Sequence, residues 1–114
     1  IVYNNGSAPY ARKVLEARGL EGLFEAVYGV EDAGYRPKPQ AEAFDTVFRL
    51  AGLTPASAAM FEDDIRNLKV PHALGMRTVL VGPLAASEGE SPDPEAQTHV
   101  HHRTDDLAGF LRGL

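Results

Sequence analysis

At 114 residues, 44% hydrophobic and a formal net charge of −5, the chain suits one globular domain, 1–114, that buries roughly two thirds of its unfolded surface. The absence of cysteine rules out disulfides, thiolate nucleophiles and zinc–thiolate sites, and the acidic balance with scattered Lys and Arg argues against a nucleic-acid partner. No apolar run approaches the roughly 18 residues of a membrane span, and Ile1-Val2-Tyr3-Asn4-Asn5 has neither a basic region nor a cleavage site; a soluble, cytoplasmic protein is expected.

Short apolar runs alternate with amphipathic stretches, the rhythm of a parallel sheet covered by helices. Ile1-Val2-Tyr3 reads as the tail of a strand, and Asn4 to Ala8 as a glycine-containing turn. Tyr10, Ala11, Val14 and Leu15 then recur at helical spacing on a surface helix that Gly19 ends. Phe24 to Val30 is a second apolar run, followed by the acidic pair Glu31 and Asp32 and the stiff loop Gly34-Tyr35-Arg36-Pro37-Lys38-Pro39. The next helix places Ala43, Phe44, Val47, Phe48 and Ala51 on a core-facing side and stops at Gly52. Thr54-Pro55 starts a helix or turn, and Ala58 to Phe61 forms a third strand that delivers Glu62, Asp63 and Asp64 to its carboxyl end. The helix after it, through Ile65 and Leu68, is bent or interrupted by Pro71 and closed by Gly75. Arg77 to Val81 is a fourth strand, residues 83–98 read as a mobile loop, and His99 to Arg103 as a short last strand. Thr104 is expected to cap a final helix whose first turn holds Asp105 and Asp106.

Three carboxylates in a row repel one another, so they are either solvated or arranged around a cation. In an open parallel sheet a ligand sits beyond the carboxyl ends of the strands, where Asn4-Asn5-Gly6-Ser7, Lys38 and Glu62-Asp63-Asp64 all fall. A polar turn ahead of a helix binds phosphate oxygens, a lysine supplies a point charge, and carboxylates hold Mg²⁺. Together these parts suit chemistry on a phosphoryl group. Each has a plainer reading: the acids could serve only the positive end of the following helix, and Lys38 could be a solvated loop lysine. His99 and His101 could share a strand face and bind a transition metal, although no third ligand is evident, and Ser7 lacks a triad.

In order, Y-N-N-G-S, R-P-K-P, M-F-E-D-D-I-R-N-L and A-L-G-M-R-T-V-L-V-G resemble the C-terminal portion of the haloacid dehalogenase-like (HAD) hydrolases, especially the pyrimidine 5′-nucleotidase-like branch, from Ile1 to about Gly82. The resemblance implies a Mg²⁺-dependent phosphatase on a Rossmann-like α/β sheet with flanking helices. It implies phosphate binding by the turn at Asn4, Asn5 and Gly6, charge stabilisation by Lys38, direct metal ligation by Asp63, and Glu62 as a further acid acting directly or through water. Asn4 replaces the usual Thr, and Asp64 replaces a common Ser, adding charge beside the metal. No Asp-x-Asp, the family's nucleophile and general acid motif, occurs anywhere in the sequence. The resemblance thus implies a partial core whose first strand and cap are missing, the strand that would lie between Ile1-Val2-Tyr3 and Ala58 to Phe61. Either those strands close on each other, or a second copy covers them as a homodimer, possibly strand-exchanged; alternatively the upstream half is simply absent from this chain. Two functional readings follow: a hydrolase of small phosphorylated substrates, with low and broad activity, in which Asp64 or water replaces the nucleophile, and a catalytically inactive binding module.

Overall fold

Apolar runs separated by helices pair side by side as parallel strands, because only hairpin neighbours can return antiparallel through a tight turn. The computed structural model describes residues 1–20, 22–82 and 99–114. They form two compact units, Ile1–Leu53 and Thr54–Leu114, each α/β with its own parallel ladder.

In the first unit β1 (Val2–Tyr3) pairs with β2 (Val27–Tyr28), Val2 opposite Val27 and Tyr3 opposite Tyr28. The Asn4 N–H extends the ladder to the Tyr28 carbonyl at 3.1 Å. Between the strands runs α1 (Ala8–Ala17), where the Ser7 hydroxyl accepts from the Tyr10 N–H and Pro9 occupies the first turn, a position that needs no donor. Ala8 alone of this helix is buried, so it is a surface helix, as its spacing predicts. The core comes from α2 (Ala41–Leu50), which buries Ala43, Phe44, Val47 and Phe48. Tyr3 meets Phe44 edge-on at 5.9 Å between ring centres, and Ala33 joins Ala43 and Val47. Burying a residue such as Phe44 or Val47 completely contributes about 1.5–3 kcal/mol. The apolar run at 24–30 yields only two strand residues, and Phe24 is left exposed.

In the second unit β4 (Arg77–Val81) lies between β3 (Ala59–Glu62) and β5 (His102–Thr104), and it buries Thr78, Val79 and Leu80. A 3-10 turn at Ile65–Leu68 leads from β3 into α3 (Lys69–Ala73). The expected single helix divides between Leu68 and Lys69; Pro71, in the first turn of α3, has no N–H to return to the 3-10 turn before it. The strand expected over His99–Arg103 begins at His102, while the His101 N–H still reaches the Thr78 carbonyl of β4 at 3.1 Å. The cap also moves: the Thr104 hydroxyl binds the backbone of Asp106, and Asp106 itself accepts from the Gly109 N–H to start α4 (Leu107–Arg112).

Among the described residues β1 and β2 form one ladder, and β3, β4 and β5 form another. The loop expected at 83–98 lies outside the described residues. No helix among the described residues is long and apolar enough to cross a membrane.

Candidate active site

The turn after β1 is held by bonds that reach across 33 residues. The Asn5 Oδ1 accepts the Lys38 N–H at 2.7 Å, and the Asn5 amide group donates back to the Lys38 carbonyl at 3.3 Å. This two-way match fixes both segments through one side chain. Lys38 is buried, its ammonium donating to the Tyr3 carbonyl at 3.1 Å and standing 4.7 Å from the centre of the Tyr3 ring. Burial and these contacts displace the plain reading of a solvated loop lysine. The peptide bond joining Lys38 to Pro39 is cis, and Tyr35 in the same loop adopts a left-handed backbone, φ 61°.

The same turn is pressed onto the end of β2. The Val30 N–H donates to the Gly6 carbonyl at 2.9 Å, and a Cβ built at Gly29 would lie 2.3 Å from the Ala8 nitrogen, so only glycine fits. The Glu31 carboxylate accepts the Ala8 N–H at 2.6 Å, and Asp32 accepts the Gly29 N–H at 2.8 Å. Asn5, Gly6 and Ser7 are exposed, and their three consecutive N–H groups make no hydrogen bond among the described residues. Successive unsatisfied amides of this kind form a site for an oxyanion. Asn4, expected in the same grip, has its amide group 3.5 Å from the Tyr28 carbonyl, a weak contact. The structure therefore unites Asn4, Asn5, Gly6 and Lys38. It adds Gly29 and Glu31, which sequence reasoning passed over although a glycine at the end of an apolar run signals close backbone approach.

In the second unit β3 ends in Glu62, with Asp63 and Asp64 following. Here each acid meets its nearest neighbours. Glu62 turns back so that its Oε1 accepts the N–H groups of Asp63 and Asp64 at 3.1 and 3.3 Å. Asp64 accepts the Arg66 N–H, capping the 3-10 turn, and forms a bidentate pair with the Arg66 guanidinium at 2.7 and 3.1 Å. Asp63 is exposed, and its carboxylate makes no hydrogen bond or ion pair among the described residues. It lines a shallow concavity with Asp64, Ile65 and Arg66. Among the described residues no three His, Asp or Glu side chains are grouped to hold a metal. Glu62 and Asp64 have local roles, part of what the plainer reading predicts. Mg²⁺ still fits the donor chemistry, since it takes oxygen ligands and is commonly held by one or two carboxylates with waters and substrate phosphate. Asp63 meets that requirement.

The histidines are structural rather than a metal pair. His99 is buried, with Nε2 2.8 Å from the Ile65 carbonyl, and Nδ1 of His101 accepts the Thr78 N–H at 3.0 Å. The Thr78 hydroxyl donates to the His99 carbonyl at 2.7 Å and accepts the His101 N–H at 3.1 Å. The His101 pKa is lowered from 6.5, first by desolvation and then by the positive neighbours Arg77, His72 and His102.

A family defined as haloacid dehalogenase-like hydrolase matches residues 1–81, more than half the chain and every site element above. The chain belongs to the haloacid dehalogenase-like hydrolase family. Enolase-phosphatase E1 of Sorangium cellulosum (strain So ce56) is 34% identical over 90 residues, covering 78% of this HAD chain and 35% of that protein. The chain thus spans about a third of the length of that curated relative and about half that of similar solved structures. Among those are a dehalogenase with an intermediate complex (TM-score 0.79, 18% identity, 98% of this chain and 47% of that one) and the HAD-hydrolase YfnB from Bacillus subtilis bound to magnesium (0.75, 23%, 98% and 48%). A HAD family hydrolase from Deinococcus radiodurans R1 with bound phosphate and sodium is also similar (0.70, 19%, 95% and 48%). At these identities the structures establish the shared α/β fold, parallel strands with flanking helices.

Proposed function

We propose that this HAD chain supplies the phosphate-gripping and metal-holding elements of a Mg²⁺-dependent phosphate-ester hydrolase acting on a small phosphorylated substrate. The observation that carries the reading is the interlock of the Lys38 backbone with the Asn5 side chain, in a turn whose Asn5, Gly6 and Ser7 amides make no hydrogen bond among the described residues. Those amides and the Asn4 side chain bind phosphate oxygens, while the Lys38 charge stabilises negative charge on the transferring group. Asp63 would hold Mg²⁺, with Glu62 as a further acid, and the ion would supply electrostatic stabilisation to phosphate chemistry. Asp64, engaged with Arg66, is poorly placed as a substitute nucleophile, so a water attacks phosphorus, the P–O ester bond breaks and the alcohol leaves carrying the proton the water gives up, an activity expected to be low and broad. The resemblance to pyrimidine 5′-nucleotidases and the enolase-phosphatase relative make nucleoside monophosphates and sugar-like phosphates the esters to test.

The reading includes a cytoplasmic homodimer, because β3 stands at the end of its ladder, a position where a strand of a second copy can pair. Solution mass decides that point. The second reading, an inactive phosphate-binding module, draws on the absence of Asp-x-Asp from the sequence and of a three-acid metal group among the described residues. An aryl phosphate assay with and without Mg²⁺ separates the two. We expect Mg²⁺-dependent turnover that falls about 100-fold or more in Lys38→Ala and loses its metal dependence in Asp63→Asn. Turnover unchanged by both substitutions rejects the site, and no turnover with retained phosphate binding selects the module.

A further inference from the structure

A negative side chain beside an anion-gripping turn is at first sight misplaced. Glu31 nevertheless reaches 23 residues back to take the Ala8 N–H at 2.6 Å, the amide that opens α1. Helix α1 has no acidic residue in its own first turn, and Pro9 removes another donor, so this distant carboxylate is the acid that meets the positive end of the helix. The three preceding N–H groups make no hydrogen bond among the described residues. The bond also pins the turn to the end of β2: Val30 N–H to the Gly6 carbonyl and Glu31 to the Ala8 N–H grip both ends of the Gly6-Ser7-Ala8 segment, and Gly29 permits the close approach.

We infer that Glu31 is a positioning residue for phosphate binding: it fills the first amide of α1, keeps an incoming oxyanion off the helix terminus, and confines it to the Asn5–Ser7 amides beside Lys38. The inference rests on the phosphate-site reading above. Its essential property is acceptance of the Ala8 N–H, not charge, so Glu31→Gln, whose amide oxygen still accepts, should behave nearly as wild type, while Glu31→Ala frees both the turn and the competing amide.

The test is titration of the full chain with inorganic phosphate in the presence of Mg²⁺, with Ala8 amide exchange and the urea midpoint followed in parallel. We expect Glu31→Ala to weaken phosphate binding about tenfold and speed Ala8 exchange, and Glu31→Gln to recover binding to within about threefold at an unchanged midpoint. If Glu31→Ala does not fold, the Glu31→Gln affinity and Ala8 exchange still decide. Unchanged affinity in Glu31→Ala, or a Glu31→Gln as weak as Glu31→Ala, overturns the inference. Loss of binding in Lys38→Ala with none in Glu31→Ala overturns it alone and leaves the phosphate site standing. Wild type that binds no phosphate overturns both.

Discussion

The turn after β1 and the turn after β3 carry similar numbers of polar side chains at equivalent ends of parallel strands, yet they are held in opposite ways. In the first, Asn5, Lys38, Glu31 and Gly29 act on partners 21 to 35 residues distant, so the turn exists only when the whole first unit is folded. In the second, Glu62 and Asp64 make bonds to partners one or two residues along, which local backbone brings within reach. Preorganisation by long-range bonds fixes donors where charge develops, whereas a locally bonded, exposed acid can rearrange around a hydrated ion. The rigid turn therefore suits an oxyanion and the adaptable one suits Mg²⁺.

The comparison breaks most severely at Gly29. Its missing side chain leaves room for the Ala8 nitrogen and the Gly6 carbonyl, so a methyl group must push apart backbone on both sides. Gly29→Ala should destabilise the first unit by about 3 kcal/mol, at the upper end of overpacking costs, and abolish phosphate binding even where folding survives. A urea unfolding curve coincident with wild type would show that the turn is not held by this close approach.

How much of this was written in the sequence follows the same division. The strands at 77–81 and 59–62, the core face of α2 and the strand-end location of Lys38 were readable because apolar period and proline-flanked loops act locally. Glu31 was visible only as half of an acidic pair, since nothing in one sequence says that residue 31 meets residue 8. The acidic trio was legible as three adjacent carboxylates, but not the local bonds by which Glu62 takes the following N–H groups and Asp64 takes Arg66. Thr104 was mistaken for the cap because its hydroxyl does bind backbone, two residues before the helix begins.

The second unit has a long-range tie of its own, the histidine contact with β4, and pH exposes it. Nδ1 of His101 accepts the Thr78 N–H only while the imidazole is neutral; protonation turns the acceptor into a donor facing a donor. Because desolvation and the charges of Arg77, His72 and His102 lower the folded pKa, the unfolded state binds more protons as pH drops below 6.5. This group's contribution is therefore complete above pH 6.5 and is lost as pH falls through the lowered folded value. His101→Asn, which places an amide oxygen near Nδ1 without titrating, should flatten that part of the stability profile. An identical profile in the variant would assign the loss to another group.

The smallest effect is expected where the comparison says bonds are local. Arg66 has 77% of its side chain exposed, so its pair with Asp64 is screened by solvent despite bidentate geometry. Arg66→Gln should shift the urea-derived stability by no more than about 0.5 kcal/mol, since the Asp64 cap on the Arg66 N–H persists without the guanidinium. Removing a cation beside two carboxylates should also tighten Mg²⁺ at Asp63, read as a lower metal concentration for half-maximal binding. A loss above about 1.5 kcal/mol would mean that this turn, like the first, is anchored to the rest of its unit, and that it would have to be redrawn as a rigid one.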